Sequence, residues 1–333
     1  MANISDVAKR AGVSAMTVSR VLNSSGYVKT ETRKRVVRAM EDLNYIPSGL
    51  ARSLIQQRTY TLALVVPDIT NPFFTTVARG MEDVARKNGY RVVLTNTDED
   101  TNKETEYVHM CATIRADGVL IAPTGDASVV NLQLLSQQSI PFVLIDREVG
   151  GLEADLVKGD MVGAARQLIE HLIELGHHRI AAITGPRNNA ASRDRLQGYQ
   201  WALTQHHLPL ADELIKEAVM TRQVDGRFVA ELLALPDPPT AIFTANNFQC
   251  ARALASLRQL GQRVPEDISI VSFDNSDPLC IMEPFITAAI QPAYDFGSLG
   301  TQLLLERIEG IHTAPQRIVL EASIVHRKST QRR

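Results

Sequence analysis

The chain has 333 residues, 44% hydrophobic and 22% charged, with a formal net charge of −2. This is enough apolar material for two or three packed domains of roughly 150 residues each. No run reaches the roughly 20 apolar residues of a membrane span, so no membrane partner is expected. The start of the chain lacks a basic-then-apolar leader. Cys111, Cys250 and Cys280 are too scattered for a disulfide framework or a metal knuckle, so a reducing cytoplasm is the expected setting.

The small net charge conceals a gradient. Residues 1–58 hold ten basic and four acidic side chains, a net of +6, so the other 275 residues carry −8. A basic head on an acidic body implies an anionic partner for the head alone.

In chain order, Ile4, Val7, Ala8 and Ala11 fall on one helical face. Ser5 is placed at the start of this helix, and Gly12 ends it. Ser14 caps a second helix with Thr17 in its first turn. Met16, Val18, Val21 and Leu22 supply its apolar side, with an outward Met16 as the other option. A third helix is expected from Thr30 to Leu43, with Val36, Val37, Met40 and Leu43 inward and Arg33, Lys34, Arg35 and Arg38 on the other face. Two short helices around a Gly-containing turn make a helix-turn-helix, although a plain three-helix bundle has the same periodicity. In the first case the second helix enters the DNA major groove, N-terminal residues first. Ala15, Met16 and Arg20 then lie nearest the bases. Arg20 can donate two hydrogen bonds to guanine, and Ala15 and Met16 can touch a thymine methyl. Ser5, Ser14 and Thr17 are positioned for phosphates.

The stretches "ISDVAKRAGVSAMTVSRVLN", "VKTETRKRVVRAMEDLNYIP" and "SGLARSL" resemble the DNA-binding head of the LacI/GalR family of transcription regulators. The resemblance implies a head over 1–46 and a hinge over 47–59 that becomes helical on DNA. It also implies that Leu54 wedges between base pairs in the minor groove, which kinks a duplex. Gly49 departs from the family's usual Ala, at a cost of about 1 kcal/mol of helix stability.

From Tyr60 the pattern becomes strand–helix alternation. "TLALVVP", "RVVLTNT", "VLIAP" and "IPFVLID" read as strands of a first series. "RIAAITG", "AIFTANN" and "ISIVSFD" read as strands of a second, with helices between. The fold class expected is an all-α helix-turn-helix head plus an α/β core of two doubly wound parallel-sheet lobes. Lobe one covers about 60–160 plus 290–320, and lobe two about 161–289. The segment "AAIQPAYDFGSLGTQLLLERIEG" is expected to return a strand and a helix to lobe one. Residues 60–325 resemble the same family's effector domain and periplasmic sugar-binding proteins, carried by "PDITNPFF", "GHHRIAAITGP", "RLQGY", "FTANN", "VPEDISIVSFDNSD" and "AAIQP".

Doubly wound lobes bind ligands at the carboxyl ends of their strands. Polyols are held by Asp, Asn and Arg, with aromatic rings against their C–H faces. Asn71, Phe73 and Phe74 follow the first strand, Asp146 and Arg147 follow "VLI", Asn246, Asn247 and Phe248 follow "IFTA", and Asp274 follows "IVSF". The resemblance implies effector contacts at Asp146, Arg195, Asn246 and Asp274. Asn189 stands where a purine-binding relative has arginine, and Arg147 replaces an aromatic of that branch. Both leave a sugar or sugar acid as the effector. Arg147 with Arg195 can meet a carboxylate or phosphate. Alternatively, Arg147 pairs with an acidic neighbour.

No Walker loop, GxGxxG or nucleophile elbow is present. His177-His178 and His206-His207 lack metal spacing and are read as loop and capping residues. No cofactor is expected, and an enzyme is not. The alternatives are a corepressor-dependent regulator and a sugar-binding protein without a DNA function. A homodimer on a pseudo-palindromic operator is expected, since one head reads only a half-site, joined through the first-lobe helices near Phe74–Arg86 and elements of the second lobe. No heptad tail follows residue 325, so a tetramerising tail is not expected.

Overall fold

The computed structural model describes residues 2–22, 26–45, 58–223, 225–274, 284–311 and 314–333. The chain forms two compact units, Met1–Tyr60 and Thr61–Arg333. Among the described residues no helix is long and apolar enough to cross a membrane. The predicted hinge helix and Leu54 lie outside the described residues.

The first unit contains α1 (Ile4–Ala11), α2 (Ala15–Leu22) and α3 (Thr30–Asp42). Asn3, rather than Ser5, caps α1. Its side chain accepts from the Ser5 and Asp6 amides, and the Asp6 carboxylate accepts from the Asn3 amide. Gly12 closes the helix at φ 64°, the left-handed region glycine enters without strain. The Ser14 hydroxyl accepts from the Thr17 amide at 3.2 Å, as an N-cap residue should. Val7, Ala8, Ala11, Val18, Val21, Val36 and Ala39 form the core. Ala39 takes the inward place predicted for Val37, which is exposed. Arg10 ties α1 to α3 through Asp42 at 2.8 Å.

The second unit holds two six-stranded sheets. In chain order its elements are β1 (Thr61–Val66), α4 (Pro72–Lys87), β2 (Arg91–Asn96), α5 (Thr101–Thr113), β3 (Gly118–Ile121), α6 (Val129–Gln137), β4 (Phe142–Ile145) and β5 (Asp155–Gly159). There follow α7 (Met161–Glu174), β6 (Ile180–Thr184), α8 (Ala190–Gln205), β7 (Ile215–Glu217), α9 (Arg227–Leu233), β8 (Ala241–Thr244), α10 (Asn247–Gln259) and β9 (Ser269–Phe273). The last are β10 (Thr287–Ile290), α11 (Ala293–Ile308), β11 (Arg317–Leu320) and β12 (Ser323–Val325).

The strand orders are β11-β5-β4-β3-β1-β2 and β12-β10-β9-β8-β6-β7. All pairings are parallel except β10 with β12. Central strands such as β3, β6 and β8 are buried along their whole length, as parallel strands covered on both faces must be. Two hydrophobic clusters flank each sheet.

The strand containing "AAI" departs from the expectation. β10 pairs with β9 in the second sheet, so only α11 and β11 return to lobe one. β12 then goes back to lobe two. Among the described residues the chain crosses between lobes three times, after Gly159, Ile290 and Leu320. Helices α4 and α11 cross closely at glycines. A Cβ on Gly80 would run into the Tyr294 carbonyl, and one on Gly297 into that of Val77.

Candidate functional site

On the first unit, burial of Val18 and Val21 turns the opposite side of α2 outward. Ala15, Met16 and Arg20 are exposed there, Met16 at 66%, so Met16 takes the outward option. Met16 and Arg20 are one helical turn apart and share a face. Ser14 bonds the Thr17 hydroxyl at 3.0 Å, and Ser5 is exposed in the first turn of α1. Tyr27 escaped the sequence reading. It is 87% exposed just ahead of the basic α3, a lone aromatic beside Gly26.

In the second unit, the strand ends of the two lobes face one cleft. Asp146 directly follows β4 and Asp274 directly follows β9. Each adopts a left-handed backbone, φ 66° and 60°. Each donates its amide to the next strand, to Val157 O at 2.9 Å and Ala289 O at 2.8 Å. The lobes thus place one carboxylate each at equivalent points.

Asn71 caps α4, Asn246 caps α10 and Asn189 caps α8, each accepting from its helix's first turn. Asn246 also donates to Met220 O at 2.8 Å. Arg195, on α8, is buried. It donates to Ala245 O at 2.7 Å and lies 4.4 Å over the Phe273 ring. Burial holds its guanidinium below the usual value, against the pull of Asp146 and Asp274. Burial pushes the Asp274 carboxyl up, opposed by Arg195 and by the Gln291 amide that donates to it at 3.1 Å. Arg147 is buried as well, which alone would lower it. The Glu99 carboxylate reverses this and leaves it above its ordinary value. The contact is bidentate, 2.7 Å at each nitrogen, and Arg147 also donates to Pro123 O.

Asp68, Asn71, Phe73, Phe74, Glu99, Asp146, Arg147, Arg195, Met220, Asn246 and Asp274 enclose a cavity of about 20 Å³, room for roughly one water. The cavity therefore contains seven of the nine residues named from sequence. Asn189 is buried at its cap, away from this lining. Phe248 packs into the core of lobe two beneath Arg222, 5.7 Å from its ring centre. Glu99, Asp68 and Met220 were missed. Glu99's only signal was the acidic run "DED" at 98–100.

The cleft also collects unsatisfied polar atoms. Among the described residues, six buried side-chain atoms lack a hydrogen-bond partner. Five are Asp146 Oδ1, Arg147 Nε, Arg195 Nε, Asn247 Oδ1 and Gln291 Oε1, all on cavity residues or their direct partners. Buried polar groups are costly unpaired, so such a cluster makes this cleft the candidate ligand site among the described residues.

Residues 3–48 match the family model "Bacterial regulatory proteins, lacI family". Residues 169–330 match a "Periplasmic binding protein-like domain". The chain is 35% identical over 336 residues to the HTH-type transcriptional repressor PurR of Aliivibrio salmonicida, covering 100% of both chains. It is 36% identical over 335 residues to the ribose operon repressor of Halalkalibacterium halodurans, covering 99% of this chain and 98% of that one. Among solved structures it resembles the transcriptional regulator CelR–cellobiose complex, with 33% identity, TM-score 0.74, and 99% and 100% coverage. It also resembles the lac repressor dimer bound to operator and the anti-inducer ONPF, with 26% identity, TM-score 0.85, and 99% coverage of each. A helix-turn-helix head, two periplasmic-binding-like lobes and full-length relatives at this identity establish that the chain belongs to the LacI family of bacterial transcription regulators.

Proposed function

We propose that this chain is a repressor that binds a pseudo-palindromic operator as a homodimer and is released from it by a small polyhydroxylated effector held between the lobes. The observation that carries the effector half is the cluster of five unsatisfied atoms. It offers three acceptors, on Asp146, Asn247 and Gln291, and two donors, on Arg147 and Arg195. A sugar hydroxyl both donates and accepts, so one ring can satisfy both kinds. The sugar named in the CelR complex and the ribose operon repressor support the same class.

A small-molecule pocket runs to about 300 Å³ or more, far above the cavity enclosed here. Admission of a sugar requires the lobes to separate, and retention requires them to close again. Ligand affinity then differs between lobe arrangements, which is the condition for a ligand to shift operator affinity. On the DNA side, Arg20, Met16 and Ala15 read base edges, Ser5, Ser14 and Thr17 hold phosphates, and Leu54 wedges the minor groove. The protein acts in the bacterial cytoplasm, on the chromosome.

The test is selection of bound duplexes from a random pool at near-physiological salt. Recovery of one inverted repeat supports a sequence-reading dimer. Binding that depends on salt alone, with no motif even when pooled metabolites are added, contradicts the reading.

A further inference from the structure

The sequence leaves a sugar and a sugar acid equally open, because two arginines stand near the cleft. The arrangement of Arg147 separates them. Its two terminal nitrogens are both taken by the Glu99 carboxylate at 2.7 Å, and one also by Pro123 O at 3.0 Å. Its Nε lies 3.5 Å from Asp146 Oδ2, too long for a directed bond. The side chain is 4% exposed. The cation is thus neutralised within lobe one, before any ligand arrives.

Among the described residues, what remains in the wall is one arginine, Arg195, against two carboxylates, Asp146 and Asp274. Asp68 adds a third carboxylate, partly engaged by the Thr70 amide and hydroxyl at 2.7 and 2.6 Å. An anionic ligand would enter a buried wall that already has an excess of negative charge, where like charges repel strongly. Its carboxylate or phosphate group would also bring only acceptors, in place of a hydroxyl that can donate, to a site where three of the five unsatisfied atoms are themselves acceptors.

We propose that Glu99 is a specificity residue: by occupying Arg147 it makes the cleft select uncharged polyols and reject their carboxylate or phosphate counterparts. This rests on the sugar-effector reading and narrows it. Glu99 acts through Arg147 and is in that sense a positioning residue. Removing its charge frees a buried guanidinium fork, the geometry that carboxylates and phosphates fit bidentately.

The experiment is calorimetric titration of the full-length protein with matched pairs: ribose and ribonate, glucose and gluconate, cellobiose and cellobionate. The wild type binds at least one neutral member and prefers it over its acid by about 30-fold or more, the scale of a mispaired buried charge. Glu99→Gln narrows or inverts that ratio, gaining acid affinity about 10-fold or more on the same basis. The double variant Glu99→Gln/Arg147→Gln, with both charges gone, returns to neutral preference. A wild type that binds an acid member better than its sugar overturns the inference and leaves the sugar reading intact. So does a folded Glu99→Gln that gains nothing for acids. If Glu99→Gln fails to fold, the wild-type ratio alone still decides. If no member of any pair binds, the sugar reading itself fails, and the inference with it.

Discussion

The side chain of Asn247, at the start of α10 in lobe two, donates a 3.0 Å hydrogen bond to Asn71 Oδ1 in lobe one. The same Asn71 oxygen accepts from the Phe73 amide and caps α4. A bond between the lobes is thereby anchored to the N-termini of two helices. It has to break whenever the cleft opens, so it biases the lobes toward closure. Asn247→Ala removes the donor and leaves the α4 cap in place. The variant also loses the Asn247 Oδ1 acceptor offered to the effector; a net hydrogen bond is about 0.5–1.5 kcal/mol, so effector affinity should fall by at least about 2- to 12-fold. Small-angle scattering of the unliganded variant should show a larger radius of gyration than the wild type.

Arg20 is exposed on α2 and is the side chain proposed to read a base pair. Arg20→Ala should weaken binding to the selected operator by about 1–3 kcal/mol and relax preference at one base pair. Binding to random-sequence DNA, carried by phosphate contacts, should keep its steep salt dependence. Competition assays with single-base operator variants measure both effects.

In the hinge, Gly49 lowers helix propensity where the family usually has alanine. Gly49→Ala should tighten operator binding by roughly 1 kcal/mol, about fivefold, if that segment becomes helical on DNA. Leu54→Ala should weaken operator binding and leave effector affinity unchanged. Anisotropy titration of labelled operator checks both variants.

Burial raises the Asp274 carboxyl above its ordinary value. A polyol that donates hydroxyls to the carboxylate favours the ionised form. Effector binding should therefore release a proton and weaken as pH falls, starting above the pH at which an ordinary aspartate titrates. Titrations in buffers of different ionisation enthalpy measure the proton release.

His177 is lowered by burial, with its ring nitrogens engaged by the Thr240 hydroxyl at 2.8 Å and Gln331 O at 3.1 Å. A folded value below the unfolded one means the unfolded chain binds the extra proton first. Its stabilising effect is complete above the unfolded value, about 6.5, and is lost as pH falls through it toward the folded value. Tm should fall across that window, less steeply in His177→Gln.

The head was legible in detail because helix periodicity and capping leave local marks. Val7, Ala8, Val18 and Val21 sit inward as their spacing required. The misplaced first cap was also a local matter, since Asn3 and Ser5 are both capping residue types and only the Asn3–Asp6 exchange decides between them. The strand ends were legible because turn residues follow each apolar run. What those runs do not encode is the direction of a side chain once the chain leaves the sheet. Asn189 and Phe248 both follow strands, yet one is spent on a cap and the other faces the core. The lobe of β10 is set by pairing with β9 across residues that carry no local signal. Glu99 and Arg147 are 48 residues apart, so their pairing appears only once β2 and β4 lie in one sheet.

The most direct test is the operator affinity of the wild type and of Arg195→Met, each measured against rising concentrations of the neutral sugar that binds. Arg195 lies in the cleft wall of the second unit, whereas the side chains assigned to DNA belong to the first, so one substitution separates the two functions. The wild type should lose operator affinity as sugar is added, while Arg195→Met should bind operator normally and stay bound. An Arg195→Met protein that releases operator at the same sugar concentration as the wild type would show that the effector acts elsewhere and that the cleft is not the control site.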